Sequence, residues 1–351
     1  MSLFGDKGIT PSDLTQGYIG NCWFIAAVAA LAEFPGRAEK LFLNLEKKAS
    51  PNGIYGMNIY TLGMPTTVIV DDWLPLWRVE DKETGTTSYH SYFAKVSEDL
   101  ALWGPIVEKV FAKRFGNYEH LENGLPNKAL QSLIGAPFDE YIHSNVIDPV
   151  TTLWDVISSA DNLKHLITAG TEAAASDQIK NDAGLALNHA YTVLGTKILS
   201  DKKTRLLKVR NPWGAEGFKG SWSDNSEKWT PEFIKEVGHV KKNEGIFWIS
   251  IEDYAKNFSE TWVNYYPETM SRAAFLMLND DNLKPKYYAT YDNDYEGTWT
   301  NFCGDGCTKH KMTLKSTKDQ TVYLTAHTWD DRGIADECEV DTKDVKHSMY
   351  I

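Results

Sequence analysis

Gln16-Gly-Tyr-Ile-Gly-Asn-Cys-Trp-Phe-Ile-Ala-Ala-Val-Ala-Ala-Leu31 sets Cys22 immediately ahead of an apolar, alanine-rich run. Phe24, Val28 and Leu31 recur at helical spacing and Pro35-Gly36 supplies a stop, so Cys22 is expected to open a buried helix. The first turn of a helix has unpaired N–H groups and the positive end of the macrodipole, which favour a thiolate. Gly17 and Gly20 permit a tight loop into that helix start, and Gln16 is placed to aim a side-chain amide into the same space, as an oxyanion donor must. On the helix alone, Cys22 reads equally well as a small core residue.

Two later segments tilt that balance. Asn188-His-Ala-Tyr-Thr-Val-Leu-Gly195 puts His189 at the head of a β-branched, alternating run that reads as a strand. Leu206-Leu-Lys-Val-Arg-Asn-Pro-Trp-Gly214 ends another strand on Asn211, pinned by proline. A reactive thiol needs an imidazole as base and acid, and the imidazole needs a third group to fix its tautomer. Cys22, His189 and Asn211 supply those types in that chain order.

These motifs resemble the calpain protease core, which reads Gln-Gly-x-x-Gly-Asp-Cys-Trp, then Gly-His-Ala-Tyr, then Arg-Asn-Pro-Trp-Gly. The resemblance covers about residues 5–265. The chain departs from it with Asn21 in place of the usual aspartate and Asn188 in place of the usual glycine. The resemblance implies an α+β, papain-like protease core in two subdomains, followed by a small, mainly β C-terminal section. The corresponding divisions are residues 1–135 (mostly helical, with the nucleophile), 136–266 (mostly β, with His189 and Asn211) and 267–351 (a short or truncated β-sandwich-like section). It further implies that Trp213 shields the His189–Asn211 pair from water.

Calpain cores also resemble one another in two acidic calcium sites, one per subdomain. The first keeps Asp13, with Asp6 and Gly8 for backbone carbonyls, but its glutamate falls at Ala101, with Asp99 and Glu98 nearby. The second keeps Asp224 and has Glu244 for an aspartate, while two further carboxylate positions are Gly217 and Ile246. Glu216 and Glu227 are the neighbours able to refill it. Calcium needs several oxygens, so the expectation is a core active without calcium, or needing it only near millimolar levels. No organic cofactor is expected.

Composition bounds the rest. At 351 residues the chain is long enough for two or three domains, and 42% hydrophobic with 24% charged residues is ordinary for a globular protein. A net charge of −12 argues against nucleic acid as a partner. Four cysteines, Cys22, Cys303, Cys307 and Cys338, are too few for a disulfide framework. The polar first fifteen residues lack a hydrophobic signal core, and the longest apolar run, Trp23 to Ala32, is too short for a bilayer span. A cytoplasmic enzyme acting on protein or peptide substrates is the expectation; the sequence leaves its oligomeric state open.

Along the chain, Ala38–Glu46 reads as helical, Ile54–Leu62 and Thr66–Asp72 as a hairpin, and Leu102 to Phe115 as a helix. In that helix Val107, Val110, Phe111 and Phe115 form the buried face, with Lys109, Lys113 and Arg114 solvated. The helical half ends near Asn123-Gly124. Phe138–His143, His189–Ser200, Arg205–Arg210 and Ile246–Ile251 read as strands, Val150–Thr168 as a helix, and Gly170–Gly184 as a loop or short helix at the rim of a cleft. In the C-terminal section, Gly297-Thr-Trp299, Gly304-Asp-Gly-Cys307 and Gln320–Ala326 read as β-type runs. The Cys303-x3-Cys307-x2-His310 spacing matches no common zinc finger, with His327, Cys338 and His347 as the remaining ligand types. Asp292 to Cys303 imitates the start of an EF-hand loop but ends on cysteine where glutamate is required. Two other readings stay open: a catalytically silent scaffold of the same fold, and a thiol acyl-transferase of transglutaminase type.

Overall fold

A computed structural model describes residues 2–44, 48–61 and 63–266, and the strand segments 273–275, 287–289, 296–304 and 307–315. Helix α1 spans Cys22–Ala32, and every residue from Trp23 to Ala32 is buried. It carries no charge on any face, so only a fully enclosed position suits it. The alanines let neighbours approach closely. Next come β1 (Ile54–Thr61) and β2 (Met64–Asp71), an antiparallel hairpin, then a second hairpin of β3 (Leu76–Glu80) and β4 (Thr87–Ser91). Helices α2 (Trp103–Phe115) and α3 (Pro126–Ile134) complete this part.

The central sheet is built from β5 (Phe138–Ile142), β6 (Leu166–Gly170), β7 (Ala190–Ile198), β8 (Arg205–Arg210), β9 (Ile246–Ser250) and β10 (Glu260–Asn264). Their order is β5-β10-β6-β7-β8-β9, every pair antiparallel. Helices α4 (Pro149–Asn162), α5 (Pro231–Val237) and α6 (Ile251–Asn257) accompany it. One core is centred on α1, α2 and α3 and takes in Leu166 and Ala190 from the sheet. A second gathers Leu153, Ile157, Tyr191, Val209, Phe247 and Tyr254, among others. Between them, Thr192 in β7 donates its hydroxyl to the Ala26 carbonyl of α1 at 2.7 Å, both groups being buried. Satisfying a helical carbonyl from a strand hydroxyl fixes α1 against the sheet. Arg37, fully buried, donates to the Lys164 carbonyl at 2.8 Å and lies 3.9 Å over the Tyr266 ring. The whole is a mixed α/β architecture consistent with the expected papain-like, α+β protease core. Among the described residues no helix is long and apolar enough to cross a membrane.

Several local readings need correction. Of the described part of Ala38–Glu46, residues 38–44, Glu39–Leu41 is helical, as a short 3-10 turn, while Leu45 and Glu46 lie outside the described residues. Leu43 N–H instead bonds the Gly56 carbonyl at 2.8 Å, which draws the chain onto β1. The helix from Val150 ends at Asn162, and Leu166–Gly170 is a strand buried along its length between β10 and β7. A continuous apolar run cannot distinguish a buried helix from a buried strand, and the break here is Lys164 at φ 57°, with no glycine to announce it. The helical half does not end at Asn123-Gly124. Helix α3 follows, with Pro126 in its first turn and Gly135 at its left-handed C-cap, the ordinary start and stop pair. Lys109, Lys113 and Arg114 are not simply solvated. Lys109 Nζ pairs with Asp71 and reaches the Trp73 carbonyl at 2.6 Å; Lys113 bonds the Ile69 carbonyl at 2.7 Å and Arg114 Nε the Thr61 hydroxyl at 2.8 Å. They fasten α2 to the β1–β2 hairpin.

Beyond residue 266, Glu296–Gly304 pairs antiparallel with Cys307–Lys315, and Cys303, Cys307 and His310 fall on these strands. The Asp292–Asp294 stretch, the Gln320–Ala326 run, His327, Cys338 and His347 lie outside the described residues.

Candidate active site

Residues from the three motifs meet where α1, β7 and β8 converge. Cys22 is the first residue of α1, His189 directly precedes β7, and Asn211 directly follows β8. The neighbouring strands β7 and β8 run antiparallel, with Thr192 opposite Arg210, so the start of one lies beside the end of the other. That register sets His189 and Asn211 side by side. His189 Nε2 lies 2.9 Å from Asn211 Oδ1, both residues buried.

The Asn211 amide has a fixed sense. Its Oδ1 also accepts the Trp213 backbone N–H at 3.0 Å, and that donor cannot reverse. The oxygen therefore faces His189, and Nε2 must donate the proton. In the neutral imidazole this leaves Nδ1 as the base, and Nδ1 is buried with no hydrogen-bond partner. Asn211 is itself held by its backbone N–H to the Gly245 carbonyl at 2.8 Å, and its carbonyl receives Gly214 N–H at 3.0 Å. The Trp213 ring sits 4.4 Å from the His189 ring, centroid to centroid.

His189 is gripped by Thr171. The Thr171 hydroxyl lies 3.2 Å from the His189 N–H, and Thr171 N–H donates to the His189 carbonyl at 3.1 Å. Asn188, just before it, has φ 48°. This left-handed conformation explains why glycine suits the position elsewhere in the family pattern, and asparagine is among the side chains that adopt it most readily.

Cys22 is a free, part-buried cysteine. Burial pushes its thiol up to about 11, against backbone hydrogen bonds from Ala190, Trp23 and its own residue. Burial thus works against the helix-start N–H groups that favour a thiolate. Burial likewise pushes His189 down to about 4, offset in part by Asn211 and by the charge of Asp177. Burial therefore favours the neutral form of each group. The Ala190 backbone brings the sulfur to the residue next to His189.

Gln16 is buried, and its Nε2 donates to the Ile19 carbonyl at 2.8 Å. An amide carries two N–H protons, and Ile19 takes one. The Gln16 N–H bonds the Pro212 carbonyl at 3.0 Å, which ties the Cys22 loop to the Asn211 turn. Gly17 is required by close approach, since a Cβ there would lie 2.2 Å from the Phe93 carbonyl oxygen.

Several of the acidic residues assigned to calcium have partners within the chain. Asp13 Oδ2 accepts Thr10 N–H at 2.7 Å. Asp99 accepts Asp6 N–H at 2.9 Å and the Ser97 hydroxyl at 2.5 Å, while Ala101 is buried. In the second set, His239 Nε2 lies 3.7 Å from Asp224 Oδ1, and Glu244 pairs with Lys242 at 3.1 Å. Glu216 lies beside Asp224; burial, with Asp224 and Glu244 adding, pushes its carboxyl up to about 7. Glu216 Oε1 and Asp224 Oδ1 are buried without hydrogen-bond partners. Gly217 cannot carry the missing carboxylate, because a Cβ there would meet the Gly184 carbonyl oxygen at 2.5 Å. Calcium asks for six to eight converging oxygens. Among the described residues no group of three or more His, Cys, Asp or Glu is placed to hold a metal ion. The first set is engaged in hydrogen bonds within the chain, while in the second Glu216 and Asp224 keep buried oxygens without partners, fewer than the six to eight that calcium asks for.

One residue at the site went unread in the sequence. Glu108, fully buried on α2, bonds Asn21. Its signal was present: with Gly104, Phe111 and Phe115 at helical spacing, Glu108 falls on the apolar face.

A family model described as calpain family cysteine protease matches residues 1–264. The chain is 34% identical over 267 residues to the calpain-type cysteine protease DEK1 of Arabidopsis thaliana, covering 74% of this chain and 12% of that protein. It is 32% identical over 253 residues to human calpain-14 (70% of this chain, 34% of that protein) and 27% identical over 339 residues to calpain clp-1 of Caenorhabditis elegans (93% and 41%). The chain thus spans well under half the length of these relatives. Matched over most of its length, this chain belongs to the calpain family of cysteine proteases.

Proposed function

We propose that this chain is a cysteine endopeptidase that hydrolyses peptide bonds of protein substrates through Cys22, His189 and Asn211. The observation that carries the reading is the Asn211 amide, oriented by Trp213 N–H, which commits His189 Nε2 to donating and leaves Nδ1 as base. In the forward step the Cys22 proton passes to Nδ1 as sulfur bonds the scissile carbonyl carbon. Collapse of the tetrahedral adduct breaks the C–N bond, and the proton on Nδ1 leaves with the amine. Water then attacks the thioester, giving a proton to Nδ1, and release of the acid returns it to sulfur. Gln16 and the Cys22 N–H stabilise the oxyanion. Trp213 covers the His189–Asn211 bond, where exclusion of water strengthens it.

The reading extends to a cytoplasmic, reducing setting, which keeps the Cys22 thiol free. The silent-scaffold and transglutaminase-type alternatives are not favoured. The test is casein hydrolysis, with Cys22→Ala as blank. Cys22→Ala and His189→Ala should each abolish turnover while the fold is kept, and the double variant should be no worse than either, because the two groups act as a unit. Substantial turnover by purified Cys22→Ala protein overturns the assignment.

A further inference from the structure

Glu108 lies at the centre of α2, fully buried, and among the described residues no lysine or arginine is hydrogen-bonded to it. Both carboxylate oxygens instead receive N–H donors. Oε1 accepts Asn21 Nδ2 at 2.6 Å, and Oε2 accepts the Ala94 backbone N–H at 2.8 Å. Each partner leads to the site. Asn21 precedes Cys22; its carbonyl accepts N–H from Phe24 at 2.9 Å and Ile25 at 3.1 Å, so it closes the first turn of α1. Its side chain makes no bond to the helix it caps and turns to Glu108. Ala94 belongs to the segment that backs the Gln16 loop: Tyr18 N–H bonds the Tyr92 carbonyl at 3.1 Å, and Lys95 N–H bonds the Thr15 carbonyl at 2.9 Å.

We propose that Glu108 is a positioning residue, whose carboxylate locks the start of α1, and with it Cys22, to the segment that holds Gln16. A buried carboxylate without a cation is costly, and a packing role alone is better filled by an apolar side chain of similar size. Burial pushes this carboxyl up to about 7, and the two N–H donors oppose the shift. Asn21 is the matching half. The aspartate usual in the family pattern would set two carboxylates face to face and force them to share a proton, whereas asparagine supplies a donor outright. The clamp rests on the peptidase reading for the role of Cys22, so its test includes a readout that needs no peptidase.

The experiment compares Glu108→Gln, Asn21→Asp and the double swap Asn21→Asp/Glu108→Gln. In Glu108→Gln the amide N–H faces Asn21 or Ala94: either it meets a donor, or the Asn21 amide turns over and leaves its own Nδ2 buried without an acceptor. The expected result is a fall in kcat of about 10- to 100-fold with KM little changed, as for a small displacement of a reacting group. The rate of Cys22 alkylation by iodoacetamide should fall with it. In the swap, the glutamine carbonyl accepts Ala94 N–H and its amide donates to Asp at position 21, so both bonds return and most of the lost rate with them. A purely structural role would lower thermal stability without this reciprocal rescue of kcat and alkylation. Unchanged kcat and alkylation in folded Glu108→Gln, or a swap no better than the singles, overturns the proposal. If wild-type protein shows no peptidase activity while alkylation follows the pattern, the clamp stands and the peptidase reading falls.

Discussion

His189 donates Nε2–H to Asn211 Oδ1 at 2.9 Å, and its Nδ1 is left buried and unpartnered. The geometry assigns Asn211 to holding a tautomer rather than to moving a proton. Replacing it with alanine should lower kcat on the order of 10–10³-fold without abolishing it, a smaller loss than removal of the nucleophile. Trp213→Ala should also lower kcat, by admitting water to the same bond. Steady-state kinetics on casein-derived peptides measures both, and full activity in Asn211→Ala would remove Asn211 from the site.

The pH dependence follows from the buried imidazole. Burial holds His189 down to about 4, below its ordinary 6.5. The base form therefore persists well below pH 6.5, and the acid limb of kcat/KM should fall below about pH 5. Stability moves in the same window: between pH 6.5 and about 4 the unfolded chain binds a proton that folded His189 refuses, so stability is present above 6.5 and lost as pH falls. His143, also held down to about 4 by burial, adds to this slope. A kcat/KM profile from pH 4 to 8 with its acid midpoint at 6.5 or higher would contradict a buried neutral His189.

What the sequence made legible was the chemistry-bearing motifs, because each couples a residue type to a local element: Cys22 to a helix start, His189 and Asn211 to strand ends. The structure adds the register of β7 and β8 that brings them together. Long-range facts stayed hidden. Glu108 meets Asn21 across 87 residues, and no local pattern encodes that pairing. Leu166–Gly170 was misread because a strand buried on both faces carries no alternation. A helix start that favours a thiolate is visible in sequence, whereas the burial that opposes it is not.

Asn188 offers a backbone test. Its φ of 48° costs most side chains roughly 1–2 kcal/mol, asparagine less and glycine nothing. Asn188→Gly should leave activity and melting temperature close to wild type. Asn188→Val should destabilise by about 1–2 kcal/mol and lower kcat, because any relief of the strain shifts His189 on the next residue. Thermal melts with kinetics check both, and a valine variant as stable and active as wild type would contradict the assigned backbone conformation.

The expected calcium positions lack carboxylates at Ala101, Gly217 and Ile246. Asp99 is bonded to Asp6 N–H and the Ser97 hydroxyl, and cationic side chains stand beside the second set: Lys242 on Glu244, and buried Arg210 within the field of both Asp13 and Glu244. Arg210 reaches back to the Leu14 carbonyl, next to Asp13, so a protein cation already links β8 to the Cys22 side of the site. Burial, with Asp224 and Glu244 adding, pushes Glu216 up to about 7, so the second set resists carrying its full negative charge. The enzyme should hydrolyse casein in excess chelator, or require calcium only at about millimolar levels, as weak sites with few carboxylates do. Calorimetric titration should show no tight binding over the same range. Silence in chelator with full recovery at micromolar calcium, together with a stoichiometric heat of binding, would show that Glu216, Asp224 and Glu244 rearrange around the ion.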